Sequence, residues 1–381
     1  MYRARATIDL AAVRRNVAVL RSKLPPTGVL WAVVKADGYG HGATQVARAA
    51  LEAGAVGLAV TTTEEAAELF EAGFGARTLV MGPVLHDQLE EAIETGAEIA
   101  VWSPQFVGWA GRAAQRSQRR VRLHLKVDTG MHRLGMSPEE LPDMFDAVAA
   151  DPWLEPAAVM THFATADDDP EFLEQQIELF DRTVGPQRRA HPEIMVHAAN
   201  SAATLAVPRS HYDGVRCGLA LYGMSPFQRD PDLDDLSPAM TLSSYVASLK
   251  DIEPGQGVSY SWTAACAWRA PSPTRVALIP LGYGDGFFRL LSDRGDVLIG
   301  GRRYPRVGRV CMDQFMVEVG RGSPVAFGDH VVLMGRQGDE RVTAEELAGH
   351  VGTINYEMTC SLTSRVKREY VGGIQTTGEC T

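Results

Sequence analysis

Residues 28–60 read GVLWAVVKADGYGHGATQVARAALEAGAVGLAV, and the order of patterns in this stretch decides the fold. The apolar run at 28–35 ends at Lys35 and predicts a buried strand, and ADGYGHG after it predicts a glycine-rich turn. The segment TQVARAALEAG spaces its apolar residues as an amphipathic helix does, and GLAV then predicts a second strand. The stretch therefore forms one strand–helix–strand unit of a parallel sheet.

The same alternation continues to about residue 217. Apolar or β-branched runs recur, mostly with helical patterns between them, at GLAVTT, RTLVMG, EIAVWS, VRLHLKV, PAAVMTHF, IMVHAAN and DGVRC. Together with 28–35 they make eight strands, and a further helix is predicted at 9–25 with Asp9 as its N-cap. Eight such units predict a (β/α)8 barrel. A doubly wound open sheet is the alternative, but the sequence contains neither GxGxxG nor GxxxxGK[ST].

The second half of the chain has a different pattern. SPFQRDPDLDDLSPAM at 225–240 is rich in Pro and Asp and reads as a connection. After it come short strands separated by turns, with one helix at TAEELAGHV; the strands are TLSSYVASLKDI, RVALIPL, DVLIGG, YPRVGRV, FMVEV and HVVLMG. We therefore expect a barrel domain at 1–235 and a mostly β domain at 236–381.

Composition narrows the class of protein. The chain has 381 residues and a net charge of -10, which argues against binding to nucleic acid. No apolar run approaches 18 residues, and MYRARATIDLAAV lacks the apolar core of a signal peptide, so we expect a cytoplasmic protein that contacts no membrane. The five cysteines (217, 266, 311, 360 and 380) lack CxxC spacing and are expected as free thiols. No metal site is predicted, because 167–169 is interpreted as the acidic start of a helix.

Polar residues follow five of the predicted barrel strands. In a barrel the carboxyl ends of the strands surround one mouth, where the chemistry of such folds takes place. These strand ends carry Lys35, Lys126 with Asp128 and Arg133, His162, Asn200 with Ser201, and Arg216. An amine that loses its charge by desolvation can attack an aldehyde, and the last two loops of a barrel commonly hold phosphate. This layout suits pyridoxal 5′-phosphate (PLP), although a Schiff-base aldolase would show a similar one.

Nine ordered blocks that cover almost the whole chain resemble the alanine racemase family. They are AVVKADGYGHG at 32–42, KVDTGMHRLG at 126–135, MTHFATAD at 160–167, HAANSAA at 197–203, VRCGLALYG at 215–223, GVSYSW at 257–262, LGYGDG at 281–286, VGRVCMDQ at 307–314 and TINYE at 353–357. The resemblance implies a PLP enzyme that interconverts L- and D-alanine, supplies D-alanine for peptidoglycan, and works as a head-to-tail homodimer with shared active sites.

The resemblance also implies residue roles. Lys35 holds PLP and is one catalytic base, and Tyr260 is the second base, contributed by the partner subunit. Arg216 contacts the pyridine nitrogen, and His162 bonds in the network behind it. Cofactor binding falls to Tyr39, Asn200, Ser201, Gly218, Leu219 and Tyr356. Arg133 and Met312 bind the substrate carboxylate, Met312 from across the subunit interface. Lys126 matches a lysine that is often carbamylated and then orients Arg133.

The implied chemistry suits these residue types. Racemisation needs a proton taken from one face of Cα and returned on the other, so two bases must flank the substrate. A phenol with a pKa near 10 needs a neighbouring cationic network to act as a base. The Arg216 guanidinium keeps its proton, so it should leave the pyridine nitrogen unprotonated and disfavour transamination.

Three alternatives remain at this stage. They are a broader-specificity amino-acid racemase, a same-fold PLP decarboxylase of basic amino acids, and a non-catalytic PLP carrier. The tyrosine of GVSYSW, together with LGYGDG and CMDQ, favours the racemase. The chain departs from the family pattern just after this tyrosine, where it reads GVSYSWTAACAW. His41 and Cys311 are interpreted as structural.

Overall fold

A computed structural model describes residues 2–261 and 267–373, so Cys266 and Cys380 lie outside the described residues. The chain divides into two compact units. The first comprises residues 13–227 and 234–236, and the second comprises 1–12, 228–233 and the chain from 237 onward. The barrel domain predicted at 1–235 includes residues 1–12 and 228–233, whereas these residues belong to the second unit. Strand β1 (Arg5–Asp9) explains the first of these differences, because both of its partner strands lie there.

The first unit is the closed eight-stranded parallel barrel that the sequence predicts. Its strands pair in chain order, and the last pairs with the first. They are β2 (Val29–Val33), β3 (Gly57–Val60), β4 (Arg77–Val80), β5 (Glu98–Val101), β6 (Val121–Lys126), β7 (Leu154–Met160), β8 (Met195–His197) and β9 (Gly214–Cys217). All eight coincide with predicted apolar runs.

Helices precede and separate these strands. They are α1 (Leu10–Ser22), α2 (Lys35–Tyr39), α3 (Ala43–Glu52), α4 (Thr63–Glu71), α5 (Leu89–Glu94), α6 (Pro104–Ser117), α7 (Leu141–Ala150), α8 (Pro170–Ala190) and α9 (Ser201–Ala206). Asp9 Oδ1 accepts from the Ala11 amide at 2.8 Å, as expected for the start of α1. Asp169 likewise caps α8, which confirms the interpretation of the acidic run at 167–169.

The second unit is built on a mostly antiparallel sheet. Its strands after β1 are β10 (Met240–Tyr245), β11 (Ser248–Ile252), β12 (Thr274–Ile279), β13 (Asp296–Ile299), β14 (Arg302–Val307), β15 (Phe315–Glu318), β16 (His330–Gln337), β17 (Glu340–Val342) and β18 (Lys367–Val371). Their order is β11-β12-β15-β14-β13-β16-β10-β1-β18, with β17 on β16. Two helices accompany them, α10 (Ala344–Val351) and α11 (Asn355–Cys360). The run 241–252 is two strands and not one, and β1, β17 and β18 are strands that the sequence analysis missed.

Each unit has a core of its own. The barrel buries large side chains completely, among them Trp31 and Leu30 on β2. In the second unit, Val258, Val276 and Val307 belong to one apolar cluster. Among the described helices, none combines the length and the apolar character that crossing a bilayer requires.

Candidate active site

The residues predicted at the strand ends meet at one mouth of the barrel. The Nη2 atom of Arg216, on β9, lies 3.2 Å from the Nδ1 atom of His162, which follows β7. The charges of Arg216, Arg133 and Lys35 all act on the Lys126 amine at the end of β6. Strands β2, β6, β7 and β9 therefore contribute side chains to a single cluster, as the sequence predicts.

Lys35 begins a turn of unusual backbone geometry. Residues 36–39 all have φ between 51° and 59°, so α2 is one left-handed turn. Left-handed backbone costs roughly 1–2 kcal/mol for each residue that carries a Cβ. Such a turn persists only where its surroundings hold it, and functional sites are where it is usually found.

Side chains hold this turn at both ends. Asp37 Oδ1 accepts from the Ala43 amide at 2.9 Å, and the Ala36 amide donates to Glu65 Oε1 at 2.7 Å. His41 is buried, and its Nδ1 atom lies 3.1 Å and 3.0 Å from the carbonyl oxygens of residues 38 and 39. The structural role predicted for His41 is thus confirmed, and the turn sets the direction in which Lys35 leaves the strand.

Tyr39 closes one side of a small polar cradle. Its ring packs against Tyr222 with centroids 4.9 Å apart, and Tyr222 donates to the Val33 carbonyl at 2.8 Å. A Cβ placed on Gly218 would lie 2.4 Å from the Tyr39 hydroxyl, so only glycine fits beneath this phenol. Ser201 Oγ accepts from the amides of Gly218 at 3.1 Å and Ala220 at 3.3 Å.

This cradle has the groups that a phosphate requires. The main chain at 218–220, the Ser201 hydroxyl and the Tyr39 phenol converge, and the Gly218 main chain is free of a Cβ that would block approach. Leu219 is buried at the start of a short 3₁₀ helix, Leu219–Tyr222, where its main chain lies next to that of Gly218. The phosphate end of PLP therefore fits the residues present.

Arg216 is buried, with 3% of its surface exposed, and its guanidinium is fixed from two sides. Nη2 donates to the Thr161 carbonyl at 2.7 Å and the Ala198 carbonyl at 3.0 Å, and Nη1 lies 2.7 Å from His197 Nδ1. Burial lowers the pKa of Arg216 to about 10, which still leaves it charged at neutral pH. Among the described residues these contacts all use Nη1 and Nη2.

His162 is held neutral in this cluster. Burial, followed by the charges of Arg216 and Lys126, puts the pKa of His162 well below its usual value. Because Arg216 can only donate, the Nδ1 atom of His162 is the acceptor and its proton resides on Nε2. His162 therefore offers an N–H donor to a group in the mouth.

Lys126 is a buried amine among cations. Burial, and then the charges of Arg216 and Arg133, lower the pKa of Lys126 to about 8, although Asp128 acts in the opposite direction. A large fraction of this amine is neutral near pH 8.

Arg133 lies in the loop that follows Lys126. Main-chain bonds join Lys126 and Asp128 to Met136 at 2.9 Å and 2.8 Å and close the loop at its base. Asp128 Oδ1 then accepts from the amides of Gly130 and His132. The tight loop presents Arg133 as an exposed guanidinium beside a buried amine.

Asn200 has a local structural contact. Its Oδ1 atom caps α9 by accepting from the Ala203 amide at 3.0 Å. The residue that follows this cap, Ser201, contacts the main chain just after β9. A direct contact of Asn200 with the cofactor stays a prediction.

In the second unit, Tyr260 lies in a strained exposed turn. Its neighbours Ser259 and Ser261 have φ of 67° and 58°, and Tyr260 is 73% exposed. Ser259 Oγ donates to the Arg309 carbonyl at 2.8 Å and lies 3.1 Å from the Cys311 sulfur. The contact places Cys311 in a structural role, as predicted, and joins the tyrosine turn to the CMDQ block.

Met312 lies next to this junction and is 53% exposed. The amides of Tyr283 and Gly284 donate to the carbonyls of Cys311 and Met312 at 3.0 Å and 2.8 Å. A Cβ on Gly282 would lie within 2.5 Å of both carbonyl oxygens, so the LGYGDG loop packs backbone to backbone on this segment. Three of the nine blocks therefore build one exposed region of the second unit.

Tyr356 lies in α11 of the second unit, partly buried. The start of this helix is fixed by the Asn355 amide, which donates to Gln228 Oε1 at 3.0 Å, and by Asn355 Nδ2, which donates to Glu345 at 2.8 Å. A role of Tyr356 at the cofactor stays a prediction.

A set of polar residues behind Arg216 was not found from the sequence, namely the buried Glu98, His124 and His197 and the partly buried Arg77. The available signal was a histidine inside an apolar run, at VRLHLKV and IMVHAAN. A polar side chain at an inward position of a buried strand needs a partner, and that requirement identifies it.

Comparison with known proteins gives matches over almost the whole chain. The model of the alanine racemase N-terminal domain matches residues 8–226, and that of the alanine racemase C-terminal domain matches residues 239–370. The alanine racemase of Symbiobacterium thermophilum is 43% identical over 372 residues and covers 96% of this chain and 97% of its own. Alanine racemase 1 of Bacillus subtilis is 39% identical, with 96% of this chain and 92% of its own covered.

Solved structures agree with these matches. Alanine racemase from Streptomyces lavendulae superposes with a TM-score of 0.92 at 38% identity and 98% coverage of both chains. Alanine racemase from Bacillus anthracis, solved with bound L-Ala-P, gives a TM-score of 0.88 at 35% identity, with 98% of this chain and 96% of its own covered. The family that the nine sequence blocks predict is thereby confirmed, and this chain belongs to the alanine racemase family of isomerases.

Proposed function

We propose that this protein interconverts L-alanine and D-alanine with bound PLP, by proton transfer between two bases on opposite faces of Cα. The observation that carries the proposal is the set of groups at one barrel mouth: an amine on a fixed turn, a buried guanidinium, and a glycine-based cradle. Bound PLP supplies an electron sink that acidifies the Cα–H bond of an amino acid attached to it.

The chain's own residues would hold this cofactor at three points. Lys35 binds its aldehyde carbon covalently, and the cradle of Ser201, Gly218, Leu219 and Tyr39 binds its phosphate, with Asn200 and Tyr356 as further contacts. Arg216 donates to the pyridine nitrogen. Because a guanidinium does not give up its proton near neutral pH, Arg216 keeps that nitrogen unprotonated, which limits transamination.

Lys35 acts on one face of Cα and Tyr260 of the partner subunit on the other. An exposed phenol in a turn fixed by Ser259 suits a group that completes the site of another subunit. The pair implies a head-to-tail homodimer in which each subunit supplies one base to each of two sites.

The neutral ring of His162 supports the phenolate. Its Nε2–H can donate to the phenolate oxygen of Tyr260 of the partner subunit, and Arg216 behind it contributes positive charge. Both effects stabilise negative charge on that oxygen. The cationic network expected from the sequence would then consist of one cation, Arg216, that acts through the neutral donor His162.

Arg133 would bind the substrate carboxylate together with Met312 of the partner subunit. A carbamate on Lys126 would orient Arg133. The neutral amine of Lys126 attacks carbon dioxide, forms an N–C bond and releases one proton to solvent. A pKa of about 8 supplies neutral amine, and the neighbouring cations stabilise the anionic product. Incubation with ¹³C-bicarbonate should give a carbamate signal in the wild type that Lys126→Arg lacks.

The enzyme would act in the cytoplasm and supply D-alanine for peptidoglycan. A broader-specificity racemase differs in substrate range, whereas a decarboxylase of basic amino acids would release carbon dioxide from L-lysine.

One assay in D₂O distinguishes these activities. The wild type should exchange the α-hydrogen of L-alanine for deuterium and form D-alanine, with less turnover on L-serine and none on L-lysine. Lys35→Ala, which loses a base and the cofactor anchor, should do neither. Borohydride reduction followed by peptide mapping should find the cofactor on Lys35. Exchange without D-alanine, or a label on another lysine, would contradict the proposal.

A further inference from the structure

A chain of hydrogen bonds runs through the barrel interior to Arg216. Glu98, at the start of β5, lies 2.6 Å from His124 Nε2, and the Nδ1 atom of His124 lies 2.8 Å from His197 Nε2. The Nδ1 atom of His197 in turn lies 2.7 Å from Arg216 Nη1. Arg77, on β4, donates to both oxygens of Glu98. Four strands other than β9 are thus linked to the active-site guanidinium.

The members of this chain are enclosed. His124 and His197 are fully buried, and 3% of Glu98 is exposed. The ring of Trp31 lies next to both imidazoles. Its centroid is 5.8 Å from that of His124, which it meets edge-on, and 6.5 Å from that of His197, on which it stacks. Water therefore does not compete for these hydrogen bonds. Two N–H donors that faced each other here without an acceptor would destabilise the fold.

Only one arrangement of protons satisfies every link. Arg216 can only donate, so His197 Nδ1 must accept and the proton of His197 lies on Nε2. That proton is donated to His124 Nδ1, so the proton of His124 lies on its own Nε2 and is donated to Glu98. The two ends, a guanidinium and a carboxylate, fix both tautomers between them.

The electrostatics agree with this arrangement. Burial raises the pKa of Glu98, but hydrogen bonds from Arg77 and His124 outweigh it and lower that pKa to about 2. Burial also lowers the pKa of His124, and burial with the charge of Arg216 puts the pKa of His197 well below its usual value. An ionised carboxylate and two neutral imidazoles are what the chain requires.

We propose that Glu98 and His124 are positioning residues that lock the tautomer of His197 and thereby hold the Arg216 guanidinium in its working orientation. Neither residue touches substrate or cofactor in this scheme. Their influence on the reaction rests on the function proposed above, because it acts through the contact of Arg216 with bound PLP. The tautomer lock itself is a property of the folded chain.

Glu98→Gln tests the direction of the chain. Oε1 accepts from Arg77 Nε and from Arg122 Nη1, the latter at 3.3 Å, whereas Oε2 accepts from Arg77 Nη2 at 2.8 Å and faces His124 Nε2. Either placement of a glutamine amide therefore sets its NH₂ group against a donor of Arg77. With the amide oxygen at the Oε1 position, the NH₂ group also faces His124 and donates to Nε2. Each proton in the chain must shift, which leaves a protonated Nδ1 of His197 facing the Nη1 donor of Arg216. One of these contacts has to open.

The first measurement is the tautomer of His197 in ¹⁵N-histidine-labelled protein, because the two nitrogens of a neutral imidazole have separate ¹⁵N shifts. The His197 signals are assigned by their loss in His197→Gln. We expect an unprotonated Nδ1 in the wild type, and a protonated or mixed Nδ1 in Glu98→Gln, Glu98→Leu and His124→Phe. Arg122→Gln removes a charged neighbour of Glu98 outside the chain and should leave the wild-type tautomer.

The second measurement is of catalysis, namely kcat and the fraction of turnovers that end in transamination. The same three variants should lower kcat about tenfold, the effect of losing one hydrogen bond to a charged group, and raise the fraction of turnovers that end in transamination. A merely structural role would reduce thermal stability and leave both the tautomer and this fraction unchanged.

A protonated Nδ1 of His197 in the wild type would overturn the proposal. So would a wild-type tautomer in every Glu98 and His124 variant that folds. The tautomer is measured without substrate. A wild type that failed to racemise alanine would therefore refute the proposed function, while the ¹⁵N measurement would still show whether Glu98 and His124 fix the tautomer of His197.

Discussion

Gly218→Ala should weaken PLP binding by pushing on the cradle. The added Cβ would lie 2.4 Å from the Tyr39 hydroxyl and 2.9 Å from Cζ of the same ring, well inside contact distance. The ring has little room to retreat, because it packs on Tyr222 and the Tyr222 hydroxyl is itself bonded to the Val33 carbonyl. The strain therefore falls on the main chain at 218–220, the part proposed to bind phosphate.

The magnitude follows from the cost of overpacking a closed site. Inserting a methyl group without room for it costs about 1–3 kcal/mol. If that cost falls on the cofactor-bound state, it corresponds to a roughly 5- to 150-fold loss of PLP affinity, since 1.4 kcal/mol is a factor of ten. Tyr39→Phe removes the nearest atom, so in the Gly218→Ala background it should cost less affinity than it does alone.

The assay is a titration of cofactor-stripped protein with PLP, followed by absorbance, for the wild type, both single variants and the double variant. Gly349→Ala is the control, because a Cβ at this position in α10 meets nothing within 4 Å. It should leave the affinity unchanged. Wild-type affinity in Gly218→Ala, or strictly additive effects in the double variant, would refute the reasoning about the cradle.

Three further outcomes are expected. Lys35→Ala and Tyr260→Phe dimers should each be nearly inactive, yet unfolding and reassembling them together should restore roughly a quarter of wild-type activity, because about half the dimers are hybrids with one intact site. Hybrids confirmed by mass spectrometry but inactive would exclude a shared site. Arg216→Glu should protonate the pyridine nitrogen, slow racemisation and increase transamination, and unchanged partitioning would contradict that role. The pKa of Glu98 is lowered from 4.5 to about 2, so its ionisation stabilises the fold above pH 4.5 by about 3 kcal/mol, and this is lost as the pH falls toward 2. Urea unfolding of the wild type and Glu98→Gln should therefore converge across that range, and a constant difference would count against it.

The barrel was predictable because its strands are buried on both faces. Such strands read as continuous apolar runs, and each of the eight runs became a strand. β1 was not recognisable in this way, since RATID buries alternate residues and its two partners begin at Met240 and Lys367. A partner so distant in sequence leaves no local pattern, and residues 1–12 were assigned to the barrel domain for the same reason.

The site was predictable where a polar residue follows a strand, as with Lys35, His162 and Arg216. The left-handed turn at 36–39 was not, because only Gly38 among these residues favours such backbone, and contacts to Ala43 and Glu65 determine the rest. Glu98 was not predictable either, since its importance depends on the ring that β6 brings to it.

The pairing of β1 with β18 also affects how the chain is made. Residue 5 is translated before any barrel strand, whereas residue 367, its neighbour in the parallel pair, is translated after all of them. All eight barrel strands are translated in between, and chains generally fold from the N-terminus onward as they emerge. β1 therefore has both edges unpaired until β10 is made and one edge unpaired until β18 is made, and unpaired strand edges are prone to aggregate. A stop codon before Lys367 would make that exposure permanent along one edge of β1.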